Sequence, residues 1–205
     1  CTVGTYNPQS GSSSASDCLI ADPGNYVDYD GASAQMACPA GTYNENSNSI
    51  TSDDCLSADP GYYAENIGSS EQTPCDIGYY QPSSGQTSCS ESPSGTYVPN
   101  AASDSVIDCS AGTYQPNPGQ GGCLDTDEGY FTPAPGSSAQ TPCLAGSYQP
   151  ETGSTACIQS DSGYHVPSEG QATQTICPAG TYQPQAGSSD CLVTNPGQYT
   201  SEGAI

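Results

Sequence analysis

CPAGTYQPQAGSSDC, residues 177–191, carries in one short stretch the pattern on which the whole chain is built. A glycine (Gly180) stands three positions after the first cysteine. A ring (Tyr182), a proline (Pro184) and a second glycine (Gly187) follow before the closing Cys191. The residue before a proline is pushed to extended geometry by the pyrrolidine ring. The PxxG segment then closes a turn that needs positive φ at or near its glycine. The stretch therefore predicts one short extended piece and one turn, with a cysteine at each end.

The same frame extends outward through the sequence, and self-similarity is the first thing to test. Gly61, Gly78, Gly95, Gly112, Gly129, Gly146, Gly163, Gly180 and Gly197 lie 17 residues apart, and Gly4, Gly24 and Gly41 continue the series upstream with spacings of 20, 17 and 20. Two positions after these glycines come Tyr6, Tyr26, Tyr43, Tyr63, Tyr80, Tyr97, Tyr114, Phe131, Tyr148, His165, Tyr182 and Tyr199, a slot that is always planar. Proline fills the position two further on in Pro8, Pro82, Pro99, Pro116, Pro133, Pro150, Pro167 and Pro184. The second glycine recurs as Gly11, Gly31, Gly68, Gly85, Gly119, Gly136, Gly153, Gly170 and Gly187, with Asn48 once in its place. Asn is the side chain that best tolerates a left-handed backbone after Gly. No stretch sustains helical periodicity.

Cysteines alternate around the frame. Cys1, Cys38, Cys75, Cys109, Cys143 and Cys177 lie three residues before a glycine of the series, whereas Cys18, Cys55, Cys89, Cys123, Cys157 and Cys191 lie six before one. The true repeat is thus a pair of halves, giving repeats at 1–37, 38–74, 75–108, 109–142, 143–176 and a shortened 177–205. An even number of regularly spaced cysteines without close pairs reads as a disulfide framework made in an oxidising compartment. Two connectivities fit. Pairing across the shorter segment, 1–18, 38–55, 75–89, 109–123, 143–157 and 177–191, uses every cysteine and is favoured; pairing across the 20-residue spacing leaves Cys1 and Cys191 over. A disulfide closing a loop of about 15 residues contributes roughly 3 kcal/mol in the chain-entropy model.

Such staples are needed. Hydrophobic residues make up 33%, Trp is absent, and Gly (24) and Pro (18) are abundant among 205 residues. A chain so poor in large apolar side chains cannot offset its conformational entropy by burial alone. Asp and Glu number 22 against no Lys or Arg, a formal charge of −22, which repels phosphate backbones and anionic membranes. Nucleic-acid binding and membrane insertion are not expected, and no apolar run approaches the roughly 20 residues of a spanning helix.

CPAGTY at Cys38 and Cys177, CSAGTY at Cys109 and CLAGSY at Cys143, each followed by a QPxxGxxxC tail in most repeats, resemble the cysteine-rich repeats of tumour-necrosis-factor-receptor-like and ephrin-receptor-like proteins. Similar arrays occur in microbial surface proteins and algal flagellar hairs. The resemblance spans all six repeats and implies that the first cysteine of each motif bonds the second. It also implies an extracellular or cell-surface location.

Catalysis finds few candidates. The single histidine, His165, sits in the ring slot and reads as a structural ring, and without it no Ser or Cys nucleophile has a base. An enzyme is not expected. No cofactor is expected either; Asp22, Asp59, Asp125, Asp127, Glu128 and Asp161 lie in oxygen-rich turns that are weak calcium candidates, and Asp-Pro-Gly is a common turn by itself. Ser and Thr form about a quarter of the chain with no Asn-X-Ser/Thr sequon, so glycans would be O-linked. Tyr62, Tyr79, Tyr130 and Tyr164 are extra rings that recur too regularly to mark one binding site.

The expected fold is a small disulfide-rich repeat array, an elongated rod of short β-strands and turns with no significant helix. A β-solenoid of 17-residue rungs is the alternative. The expected role is structural: part of an extracellular filament, appendage or adhesin stalk that self-associates or continues into the same repeat array. A receptor-like ectodomain binding a protein or glycan along the rod is the second reading. Because position 1 is already inside a repeat, the chain is expected to be a processed product or a window of a longer one.

Overall fold

The computed structural model describes every residue, Cys1–Ile205. It forms two compact units, one of Cys1–Ser92 with Val98–Val106 and the other of Pro93–Tyr97 with Ile107–Ile205. Both are built from the same hairpin. All 22 strands are two residues long and pair as eleven two-stranded antiparallel sheets. The brevity has a local cause. A glycine of positive φ precedes the first strand of each hairpin, as at Gly112 (φ 86°), and in most hairpins a proline without an N–H follows one residue beyond that strand, as at Pro116. Only Thr113 and Tyr114 remain to pair, with Asp125 and Leu124.

The ring slot keeps one register in both kinds of half. Tyr114 faces Leu124, Phe131 faces Thr141 and Tyr148 faces Ile158. The three-residue insertions of the first two repeats fold as single 3₁₀ turns, Ala15–Asp17 and Ser52–Asp54. Each carries a capping box, Ser14 with Asp17 and Thr51 with Asp54, which satisfies the turn's first N–H groups.

Consecutive halves within a unit are joined by four recurring backbone bonds. In the second unit, Gly112 N–H donates to the Thr132 carbonyl (2.8 Å), Gln115 N–H to Ser137 (3.1 Å), Thr126 N–H to Gly112 (3.0 Å) and Gly136 N–H to Cys109 (2.8 Å). The first unit repeats the set with Gly41 to Ala64 (2.8 Å), Asn44 to Ser69 (3.1 Å), Ala58 to Gly41 (3.0 Å) and Gly68 to Cys38 (2.8 Å). A β-solenoid would instead pair each strand in parallel with its counterpart on the next rung. Parallel pairing occurs only as two isolated bridges, Tyr43 with Ser69 and Tyr182 with Ala204. The fold is a small disulfide-rich repeat of short strands without closed sheets.

Halves two steps apart also touch. A Cβ on Gly112 would strike the carbonyl oxygen of Gly153, so this glycine is required by space as well as by φ. The second-glycine slot has two non-glycine occupants of positive φ, Asn48 (61°) and Ala102 (57°). Asn48 matches the sequence expectation. Ala102 does not, and it bears a left-handed backbone that costs an L residue about 1–2 kcal/mol.

The core is correspondingly thin. One buried slot lies three residues before ten of the twelve glycines and alternates Cys38, Cys75, Cys109, Cys143 and Cys177 with Ala21, Ala58, Ser92, Thr126 and Ser160, whereas Cys1 is exposed and Thr194 half-buried at the two ends. Only small side chains fit there. A second buried slot lies three residues after the glycine and alternates Gln81, Gln115, Gln149 and Gln183 with Val98, Thr132 and Val166. No helix is long and apolar enough to cross a membrane.

Candidate functional site: the stapled joint

The chemistry of the repeat is concentrated where each hairpin is closed. Six disulfides form, Cys1–Cys18, Cys38–Cys55, Cys75–Cys89, Cys109–Cys123, Cys143–Cys157 and Cys177–Cys191, and no cysteine is free. These are the short-segment pairs. Their Cα atoms lie 5.4–5.8 Å apart, the usual span of a bridge. Beside each of the last four bridges a buried glutamine straps the loop from within. The Gln115 side-chain amide donates to the Gly122 carbonyl at 2.7 Å and its oxygen accepts from Asn117 N–H at 3.1 Å. Gln81, Gln149 and Gln183 repeat the pair of bonds. In the two repeats that carry an insertion the shorter Asn7 and Asn44 stand there and accept from Gln9 and Asn46 N–H.

The alternate halves lack cysteines and are closed by a noncovalent clamp. Asp127 N–H donates to the side-chain oxygen of Gln140 at 2.7 Å, and the Gln140 amide donates back to the Asp127 carboxylate at 2.5 Å. Asp22 with Gln35, Asp59 with Gln72 and Asp161 with Gln174 form the same reciprocal pair. Each glutamine occupies the position of the second cysteine in the neighbouring half. In the half of Gly95 those positions hold Pro93 and Val106, and the clamp is missing. Four of the calcium candidates are thus engaged by glutamine. Asp125 lies in a strand opposite Thr113, and Glu128 lies in the adjoining turn.

Eleven of the twelve ring-slot side chains are half-buried or buried, whereas Tyr199 is 95% exposed. His165 fills its slot as a ring, with Nδ1 at 3.1 Å from the Cys191 sulfur. Its ligand nitrogen and the sulfurs of Cys177 and Cys191 gather within 4.8 Å, but the two sulfurs are bonded to each other and offer no thiolate. Burial raises the pKa of Tyr43, helped by Asp59 and Glu45. Tyr79 is raised first by the Glu91 charge, then by their hydrogen bond, by burial and by Asp76.

Thr132 exposes a flaw in the pattern. Its hydroxyl is buried without a hydrogen-bond partner, in a slot that Val27, Ala64, Val98 and Val166 fill without polar atoms.

A chain closed by six tandem bridges, with two-residue strands between positive-φ glycines, is built as a cysteine-rich repeat of the extracellular kind, since such bridges persist in oxidising compartments. Residues 61–109 match the family described as tyrosine-protein kinase ephrin type A/B receptor-like, a stretch that contains the Cys75–Cys89 bridge and the first cysteine of the next. No curated protein matches the chain.

Proposed function

We propose that this chain is a structural segment of an extracellular filament, appendage or stalk, in which repetition sets length and rigidity. The observation that carries the reading is the recurrence of four side-chain-independent backbone bonds at each step within a unit. Bonds of this kind hold whatever the surface residues are, so the surface is free to be acidic, soluble and decorated. Repeats that cannot bury a face alone gain by stacking on their neighbours. Self-association with copies of the chain and O-glycosylation of exposed hydroxyls belong to the same proposal.

Small-angle scattering with electron microscopy of the oxidised chain tests it. An extended particle that joins end to end at raised ionic strength or with divalent cations is the expected result. A compact particle that stays monomeric under all these conditions overturns it. The receptor-like reading is favoured over residues 61–109 alone, where the family match falls.

A further inference from the structure

Against so regular a frame, one place where several slots change together is conspicuous. In the first unit a cleft of about 290 Å³ lies among Tyr63, Glu65, Pro74, Asp76, Tyr79 and Cys89. Tyr79 stands where the other cysteine-bearing halves have Thr5, Thr42, Thr113, Ser147 and Thr181. Asp76 stands where they have Thr2, Pro39, Ser110, Leu144 and Pro178. Glu65 takes a slot that is proline in eight of the twelve halves and acidic elsewhere only as Asp28 and Glu45. Tyr62, Tyr130 and Tyr164 belong to the alternate halves, so Tyr79 is not one of their series, and the regularity expected from sequence does not include it.

The geometry gives these changes a common meaning. Two phenol rings stand at the cleft, and the Tyr79 hydroxyl donates to Glu91 at 3.3 Å, which fixes that ring. The Glu65 and Asp76 carboxylates make no hydrogen bond or ion pair, and the chain has no Lys or Arg to offer one. Aromatic faces attract cations through the ring quadrupole, and carboxylates at the same opening add charge attraction. The volume suits one side-chain-sized group.

We propose that this cleft binds an alkylammonium or guanidinium group supplied from outside the chain, either a basic side chain of a partner protein or a free polyamine. The inference does not depend on the filament reading.

Titration of the isotopically labelled, fully oxidised chain with N-acetyl-arginine methylamide, with a short lysine peptide and with spermidine tests it by NMR. The expected result is a set of shifts concentrated on Tyr63, Tyr79 and their neighbours, with affinity about fivefold weaker or worse in Tyr79→Thr. That variant installs the residue of the neighbouring halves, and Asp76→Ser does the same at its slot, so both are expected to keep all six bridges by mass. Tighter binding of arginine or lysine compounds identifies a partner's side chain as the source; tighter spermidine binding identifies a free amine. Shifts spread evenly over the acidic surface, equal binding by a correctly bridged Tyr79→Thr, or equal binding of the neutral N-acetyl-norleucine methylamide overturns the proposal.

Discussion

Thr132 shows how a single atom can be out of step with its surroundings. Its hydroxyl has lost water without gaining a partner, and an unsatisfied buried polar group costs about 1–3 kcal/mol. Thr132→Val, the residue of three other halves, is therefore expected to stabilise the oxidised chain by about 1–2 kcal/mol, read as a higher denaturant midpoint with unchanged slope. Tyr43 and Tyr79 make a second residue-scale prediction. Their pKa values are raised above 10.0 by the fold, so the folded state holds these protons more tightly than the unfolded one. Their contribution is complete below the unfolded value near 10 and is lost as pH rises through the folded values. Phenolate absorbance should show late-ionising tyrosines, and Glu91→Gln should advance Tyr79 while leaving Tyr43 late.

At the scale of the element, the hairpin is closed in two chemically different ways on one backbone. Phe131 and Tyr114 have the same register, and Thr126 occupies the buried slot that cysteine fills next door. Thr126→Cys with Gln140→Cys is accordingly expected to oxidise to a seventh disulfide, detected as no free thiol by mass after alkylation. Removing the clamp alone, by Gln140→Ala, should cost about 1 kcal/mol, because its bonds lie partly in solvent. The hairpin itself was readable in advance: the glycine, ring and proline offsets point to a short extended piece ended by a turn, and two-residue strands are its physical outcome. The clamp was not, because Asp59 looked like an ordinary Asp-Pro-Gly turn, and the 13-residue offset to Gln72, although it recurs in three other halves, joins two surface polar residues whose types alone announce no contact. Gln115 was equally hidden, since a glutamine beside a proline gives no sign that it is buried. Ala102 was invisible for the opposite reason: it breaks the glycine series at a slot whose conformation remains left-handed.

For the whole molecule, the governing quantities are charge and crosslinks. A surface of formal charge −22 without cations repels itself, and added salt screens that repulsion over a Debye length of about 8 Å at physiological ionic strength. The oxidised chain should therefore melt at a higher temperature in 0.15 M salt (~8 Å screening) than in dilute buffer. Reduction should unfold it, since loops of 14 and 17 residues each lose an entropic constraint of about 3 kcal/mol. Trypsin should leave even the reduced, unfolded chain uncut, as it contains no Lys or Arg.

The two-step contact between halves has a bearing on inheritance. Because a glycine such as Gly112 meets the carbonyl of Gly153 two halves along, the grammar of the stack is even-numbered: a bridge-bearing half faces another of its own kind across a clamped one. Loss or duplication of a whole pair, for example residues 143–176, rejoins like with like. Loss of a single half sets two bridges side by side or two clamps. Length then changes in steps of 34 residues without disturbing the alternation, and the close approach of two backbones, which Gly112 and Gly129 make alike in the two kinds of half, is remade at the new joint.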